Sequence, residues 1–500
     1  MTYYLYIILA YILVLTGFNF YRSKKVKTQE DMMVAGRSLS MRVMVFTLIC
    51  TWIGSGTFIA GAEYAAKAGW SSLWFPAGAW VGIIIIYFLA AKIRTFGQYT
   101  IGDILEVRYG KFARVFGAIA LIISFIAIVS YQFKAGGYIL NVITDRSISV
   151  YQGTTITAFF VILFTALAGM VAVAYTDLPN GIIILLACIL ATPFVYFTAG
   201  GWHQAVNTLP PGHFKMFNPE FGQHPLLKAG GYFLSTMLLL MGVQSMYQKF
   251  YSAKTPKDAK QAVALWTIGT IFVEIVVIVI AIFGATYMWS KITLFNTNPG
   301  APGGVDPASI VLQAARFMVP APVGVLLLAA ACAVVISTGM NYLLSPTTNV
   351  MRDVYQRFIS PEASQSKMVA LQKIMIVIFG VIAYFLATKL VSVLEMSYFA
   401  YTIYGAAITP SLIAALAWKR ATKIGGLISI VSGALITLGL KVSGYIWPQI
   451  MVPFGDPNGD PWGIPMIYPA VIVSVLALII GSLLTKPPEK EVLVKLFPEK

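Results

Sequence analysis

This sequence predicts an all-α polytopic membrane protein with about 13 spans. Three observations predict it. The 500-residue chain is 58% hydrophobic and only 11% charged, which fits neither a soluble globule nor a disordered chain. Its apolar residues gather into runs of membrane-crossing length, separated by short polar stretches. With the first span taken from outside to inside, most of the 35 Lys and Arg fall on inward loops, helix ends and the tail, a positive-inside bias. That bias accounts for the net charge of +16 without a polyanionic partner, so nucleic-acid binding is excluded.

The first span, 3–21, has no basic start and no small-residue cleavage site, and reads as a retained helix rather than a signal peptide. A basic loop (Lys24, Lys25, Lys27) leads to Ala-Gly-Arg-Ser at 35–38. The apolar run 43–66 follows, interrupted near its middle by Gly54 and Gly56 around Ser55. After the span 73–91, the segment 92–114 carries Ile101, Ile104, Leu105 and Phe112 at helical spacing, an interfacial amphipathic helix. Spans at 115–140 and 155–173 precede a short turn at 175–181 and a span at 182–196. The loop 200–228 holds all three histidines (His203, His213, His224), too far apart for a helical metal pair and read as solvated.

Spans follow at 229–247 and 262–288, then a Gly/Pro-rich outward loop at 289–319. The remaining spans are 323–351, 375–387, 397–418, 425–439 and 467–484, and a charged tail runs from 486 to 500. The three cysteines all lie in apolar spans and indicate no disulfide framework. No nucleotide-binding or kinase signature interrupts the chain. Nor do the spans hold a nucleophile–base pair, so an intramembrane enzyme is not indicated.

Two stretches carry chemistry. In lipid every backbone amide and carbonyl needs a partner, so a break at Gly54–Gly56 survives only where it lines a cavity or is covered by protein. Such breaks expose carbonyl oxygens to ions; equally, small residues there serve close helix packing, and both readings stay open. The second stretch is 333–345, where Ser337, Asn341 and Ser345 share one helical face and Thr338 adjoins Ser337. That polar stripe bonds a neighbouring backbone, or it supplies hydroxyl oxygens to a hard cation together with freed carbonyls.

With these pieces the chain resembles the sodium:solute symporter family of sodium-coupled sugar, proline, pantothenate, choline and sialic-acid carriers. The resemblance rests on Ala-Gly-Arg-Ser at 35–38, Thr-Trp-Ile-Gly-Ser-Gly-Thr-Phe at 51–58 and Ala-Val-Ala-Tyr-Thr-Asp at 172–177. It continues through Gln-Lys-Phe-Tyr-Ser-Ala-Lys at 248–254, the Ser337-Thr338 pair, Arg-Asp-Val-Tyr at 352–355 and Trp-Lys-Arg-Ala-Thr at 418–422. It implies a five-plus-five inverted-repeat core of the leucine-transporter type, whose first and sixth members are discontinuous. The expected layout is an extra N-terminal helix at 1–22, a ten-helix core at 43–418, two further helices at 419–485 and a cytoplasmic tail at 486–500.

Carried over by motif, a sodium ion would meet the carbonyls of Cys50, Ile53 and Val334 and the hydroxyls of Ser337 and Thr338. A second sodium, where family members hold one, would use Asp177 and Asn341, although Met340 and Asn341 stand where serines are expected. Substrate would meet Thr57, Thr236, Leu239 and Thr402.

Intramembrane charge is costly enough to mark function. Lys134, with Gln132 beside it, either snorkels to the outer surface or receives a substrate carboxylate. Glu63 and Lys67, at i and i+4, are expected to pair. No carboxylate within the spans reads as placed on a permeation path. The resulting expectation is a sodium-coupled symporter that imports a small organic solute by alternating access. It would sit in lipid in the cytoplasmic membrane, N-terminus outside and C-terminus inside, with a monomer sufficing. The alternatives are a proton-coupled carrier and a membrane sensor built on the same core.

Overall fold

The structure, a computed structural model, describes residues 2–23, 28–96, 99–219, 224–291, 304–389, 392–446 and 465–497. The basic loop at Lys24, Lys25 and Lys27 lies outside them, as does most of the loop before 467. Among the described residues the chain is helical, and Leu39 and Ala253 form an isolated β-bridge. Among the described residues eleven helical stretches are long and apolar enough to cross a bilayer, while Tyr4–Val14 and Met41–Trp52 are apolar but shorter. The expected 13 are therefore not reached on length alone. The apolar run at 43–66 is divided, and its first piece is 12 residues long, well short of a bilayer.

Burial sorts the helices into centre and rim. Within the membrane windows of Ala321–Ile359 and Val393–Ala417, 83% of residues are buried, against 28% for Gln365–Lys389. The central Ala321–Asn349 helix packs on the Val150–Thr198 and Lys111–Ile143 helices. Met41–Trp52 lies against Val150–Thr198 and Pro256–Met288. The N-terminal Thr2–Ser23 helix docks on Val150–Thr198, where the Tyr11 hydroxyl donates to Asn180 Oδ1 at 2.6 Å.

Several sequence expectations are corrected here. The hand-over expected at 175–181 occurs earlier: Gly169, at φ 61°, kinks Val150–Thr198, and Asp177 and Pro179 lie inside the helical stretch beyond it. The 92–114 segment is not a free interfacial helix. Its Ile101–Tyr109 part buries Ile101, Ile104 and Leu105 in protein, whereas Phe112 belongs to the next helix and is exposed. His213 is buried rather than solvated, its Nε2 3.2 Å from the Ala66 carbonyl oxygen.

Charge clusters tie the two ends of the bundle. At one end, Arg114 bridges Asp103 (2.7 Å), Asp353 (2.6 Å) and Glu106, and Arg357 reaches Glu106 at 2.5 Å. At the other, Glu63 binds Lys67 at 2.7 Å, as the spacing implies, and accepts from Ser392 Oγ at 3.0 Å.

Candidate functional site

Two helices are interrupted in mid-bundle, and each break is stitched by a side chain from another helix. Met41–Trp52 ends at Ile53, whose ψ of 91° is extended, and the chain resumes as a wide turn of π-helix over Gly56–Gly61. Gln132 fills the gap: its Oε1 accepts from Ser55 Oγ at 2.7 Å and from the Ser55 amide at 3.2 Å. The second break falls at Val243 (φ −67°, ψ 122°), between Pro225–Gly242 and Gln244–Ser252. There the Tyr404 hydroxyl donates to the Gly242 carbonyl and accepts from the Gln244 amide, both at 2.9 Å. Backbone left unpaired by these breaks would be costly in a dry interior, so the stitches hold the openings in shape.

Thr338 faces the first break. Its Oγ1 donates to the Cys50 carbonyl at 2.9 Å, with the Ile53 carbonyl 3.4 Å away. Gly54 keeps this approach open, since a Cβ there would come within 2.8 Å of the Thr338 methyl. Of the five residues expected around sodium, Cys50, Ile53 and Thr338 are thus brought together, and Val334 lies one turn before Thr338 on its buried face. Ser337 is turned to a neighbouring cluster, where its hydroxyl donates to Asp177 Oδ1.

That cluster is fully buried. Asp177 Oδ2 accepts from Thr47 Oγ1 at 2.5 Å and lies 3.5 Å from Asn341 Nδ2. The Asn341 side-chain Oδ1 accepts from Lys249 Nζ at 2.5 Å, and Lys249 also reaches Met170 Sδ at 3.2 Å. Lys249, 0% exposed, therefore sets an ammonium beside the two residues expected to hold a second sodium.

The substrate candidates are scattered. Thr57 lines a small cavity with Trp52, Phe75, Glu274, Ile278 and Tyr401. Thr236 does not reach it: its hydroxyl binds main-chain carbonyls, at 2.7 Å that of Phe75 and at 2.9 Å that of Tyr232. Leu239 is buried in the apolar core, and Thr402 Oγ1 is buried with no hydrogen-bond partner among the described residues. Gln132 serves the break, while Lys134 is half-buried within electrostatic reach of Asp306.

Lys249, Glu274 and the part Tyr404 plays at the second break are what sequence reasoning missed. A lone carboxylate inside the apolar run 262–288 was the available signal for Glu274.

Two interrupted helices meeting a hydroxyl-bearing neighbour at mid-bundle are the architecture of an ion-coupled secondary transporter. Comparison with known proteins narrows this. A family model described as the sodium:solute symporter family matches residues 32–433, and the chain belongs to that family. It is 25% identical over 456 residues to the high-affinity proline transporter PutP of Bacillus subtilis, covering 86% of this chain and 91% of that protein. It is 26% identical over 438 residues to the human high affinity choline transporter 1, covering 85% and 73% respectively. In fold it is similar to a Na+-coupled sialic acid symporter, with a TM-score of 0.78 at 17% identity over 97% of this chain and 98% of that one. It also resembles MhsT solved with L-phenylalanine, with a TM-score of 0.52 at 15% identity over 91% and 98%. The chain is a sodium-coupled transporter of a small solute.

Proposed function

We propose that one sodium ion per cycle, held between Thr338 and the loosened main chain at Cys50 and Ile53, drives import of a small organic solute. The approach of the Thr338 hydroxyl to those two carbonyls carries the reading. A monovalent cation is held by several oxygens at short range, and these need no fixed countercharge. The single-ion stoichiometry is supported by Lys249, whose ammonium stands beside Asp177 and Asn341. A tethered cation there balances the carboxylate that a second sodium would otherwise neutralise. In this reading residues 43–418 are the transport core, 1–22 an extra helix, 419–485 two flanking helices and 486–500 a cytoplasmic tail. The N-terminus faces outward in the cytoplasmic membrane, on the distribution of Lys and Arg.

Each positive charge moved inward gains about 2.3 kcal/mol per 100 mV, so one sodium can concentrate a solute substantially. Proteoliposomes given an inward sodium gradient should accumulate radiolabelled solute, with a sodium Hill slope near one. Uptake that proceeds equally in potassium would overturn the coupling, and a slope near two would overturn the stoichiometry.

A further inference from the structure

The sodium reading makes no use of Glu274. This carboxylate is 2% exposed, in the middle of the Pro256–Met288 helix. Its Oε1 accepts from Trp52 Nε1 at 2.8 Å, with Thr57 Oγ1 3.4 Å away, and its Oε2 accepts from Trp80 Nε1 at 2.6 Å. All three donors are neutral. No basic side chain is among the residues that line the cavity on which Glu274 opens. A carboxylate so placed in a membrane protein calls for a cation that is not part of the fold.

The walls indicate which cation. Tyr401 stacks on Phe75 with centroids 5.7 Å apart and lies 6.0 Å from Trp52, so three aromatic rings surround the opening beside Glu274. Sodium is poorly served there. It needs several oxygen lone pairs, whereas the two indoles present hydrogens to the carboxylate, and the other walls are largely hydrocarbon. A bound proton would neutralise the carboxyl but would give the rings no task. Aromatic faces with one carboxylate are the combination that holds an ammonium group, through cation–π attraction and a charge-assisted contact.

We propose that Glu274, with Trp52, Phe75 and Tyr401, receives the positively charged nitrogen of the transported solute. The solute is then an organic ammonium compound, either a quaternary amine or the amino group of an amino acid. The cavity is pinched in this conformation. It leaves about 10 Å³ for the centre of a water-sized body, roughly enough for one water, so Tyr401 and Phe75 must part to admit the solute. Gly56 permits the closed arrangement, because a Cβ there would come within 2.6 Å of the Tyr401 hydroxyl. This inference rests on the reading that the chain carries a small solute, and it extends that reading to the solute's charge.

The test uses purified full-length protein, with thermal-shift binding and proteoliposome uptake of choline, L-proline, L-lactate and glucose. Choline responding alone identifies a quaternary amine; L-proline responding alone identifies an amino-acid nitrogen. Glu274→Gln should raise the KM of the responding ammonium compound at least tenfold, while stabilisation by sodium is retained. If that variant does not fold, Tyr401→Leu, which keeps the carboxylate and removes a ring, should raise the same KM at least tenfold. The proposal is overturned if only lactate or glucose responds, or if Glu274→Gln leaves the KM unchanged. It is also overturned if uptake acidifies the vesicle lumen and Glu274→Gln abolishes only that acidification, which would make Glu274 a proton site. Ammonium binding that is lost in Glu274→Gln but indifferent to sodium would leave this inference standing and remove the sodium coupling instead.

Discussion

Replacing Lys249 by methionine keeps the length of the side chain and removes its charge from the Asp177 cluster. Two quantities bracket the cost. Losing only the contact between Lys249 Nζ and Asn341 Oδ1, a charge-assisted hydrogen bond of 2.5 Å, removes about 1.5–3 kcal/mol. Lys249 reaches the buried Asp177 carboxylate through Asn341 rather than in a direct ion pair, so the about 3–5 kcal/mol lost when a buried pair is broken is the upper bound. The loss should be seen by denaturant or thermal melting in detergent, with potassium as the only alkali cation. Sodium should restore part of it, because Asp177, Ser337 and Asn341 then offer their oxygens to a free ion. In uptake assays the sodium Hill slope should rise above that of the wild type. A variant that is as stable as wild type in potassium, or that gains nothing extra from sodium, would refute the idea that this ammonium stands in for an ion.

Gln132→Leu removes the acceptor of the Ser55 amide and hydroxyl and should cost about 1–3 kcal/mol of stability, with uptake reduced more than expression. Tyr404→Phe leaves the Gly242 carbonyl and Gln244 amide without their stitch and should destabilise by about 2–6 kcal/mol, the sum over two orphaned groups, read by denaturant melting. At the polar end of the bundle, burial alone would raise the Glu106 carboxyl, but the Arg114 and Arg357 guanidiniums bound to it hold it below the usual carboxylate range. A depressed folded value contributes stability above the ordinary carboxylate range and loses it as pH falls through that value. The stability gap between wild type and Glu106→Gln should therefore be full at neutral pH and close on acidification. A gap that widens in acid would contradict this assignment.

How much of this was legible follows from what each residue signals locally. The first break could be read because Gly54 and Gly56 flank Ser55 in an apolar run, where weak helix propensity is conspicuous. The second could not. Val243 follows Met241 and Gly242 in a run that reads as one helix, and its break depends on Tyr404, which lies 161 residues further along the chain. Pro179 suggested a turn at 175–181, yet the helix carries that proline within it and turns at Gly169 instead.

Side-chain direction was harder still. Ser337 and Thr338 are neighbours in sequence, and helical geometry points them to different partners, Asp177 for one and the carbonyls of Cys50 and Ile53 for the other. Lys249 sits in the motif at 248–254, but nothing local distinguishes a solvated lysine from a buried one. Glu274 had a signal, a single acid in 27 residues of apolar helix, but its meaning depends on rings contributed by three other helices.

The central claim is that the Thr338 hydroxyl and the opened main chain at Cys50 and Ile53 hold the coupling ion. Its most direct test is the sodium concentration that half-stabilises purified protein against heat, compared between wild type and Thr338→Val, with potassium replacing sodium to hold ionic strength constant. The account predicts that sodium, and not potassium, stabilises the wild type, and that the half-stabilising concentration rises at least tenfold in the variant, about 1.4 kcal/mol. Equal sodium titrations for the two proteins would contradict it.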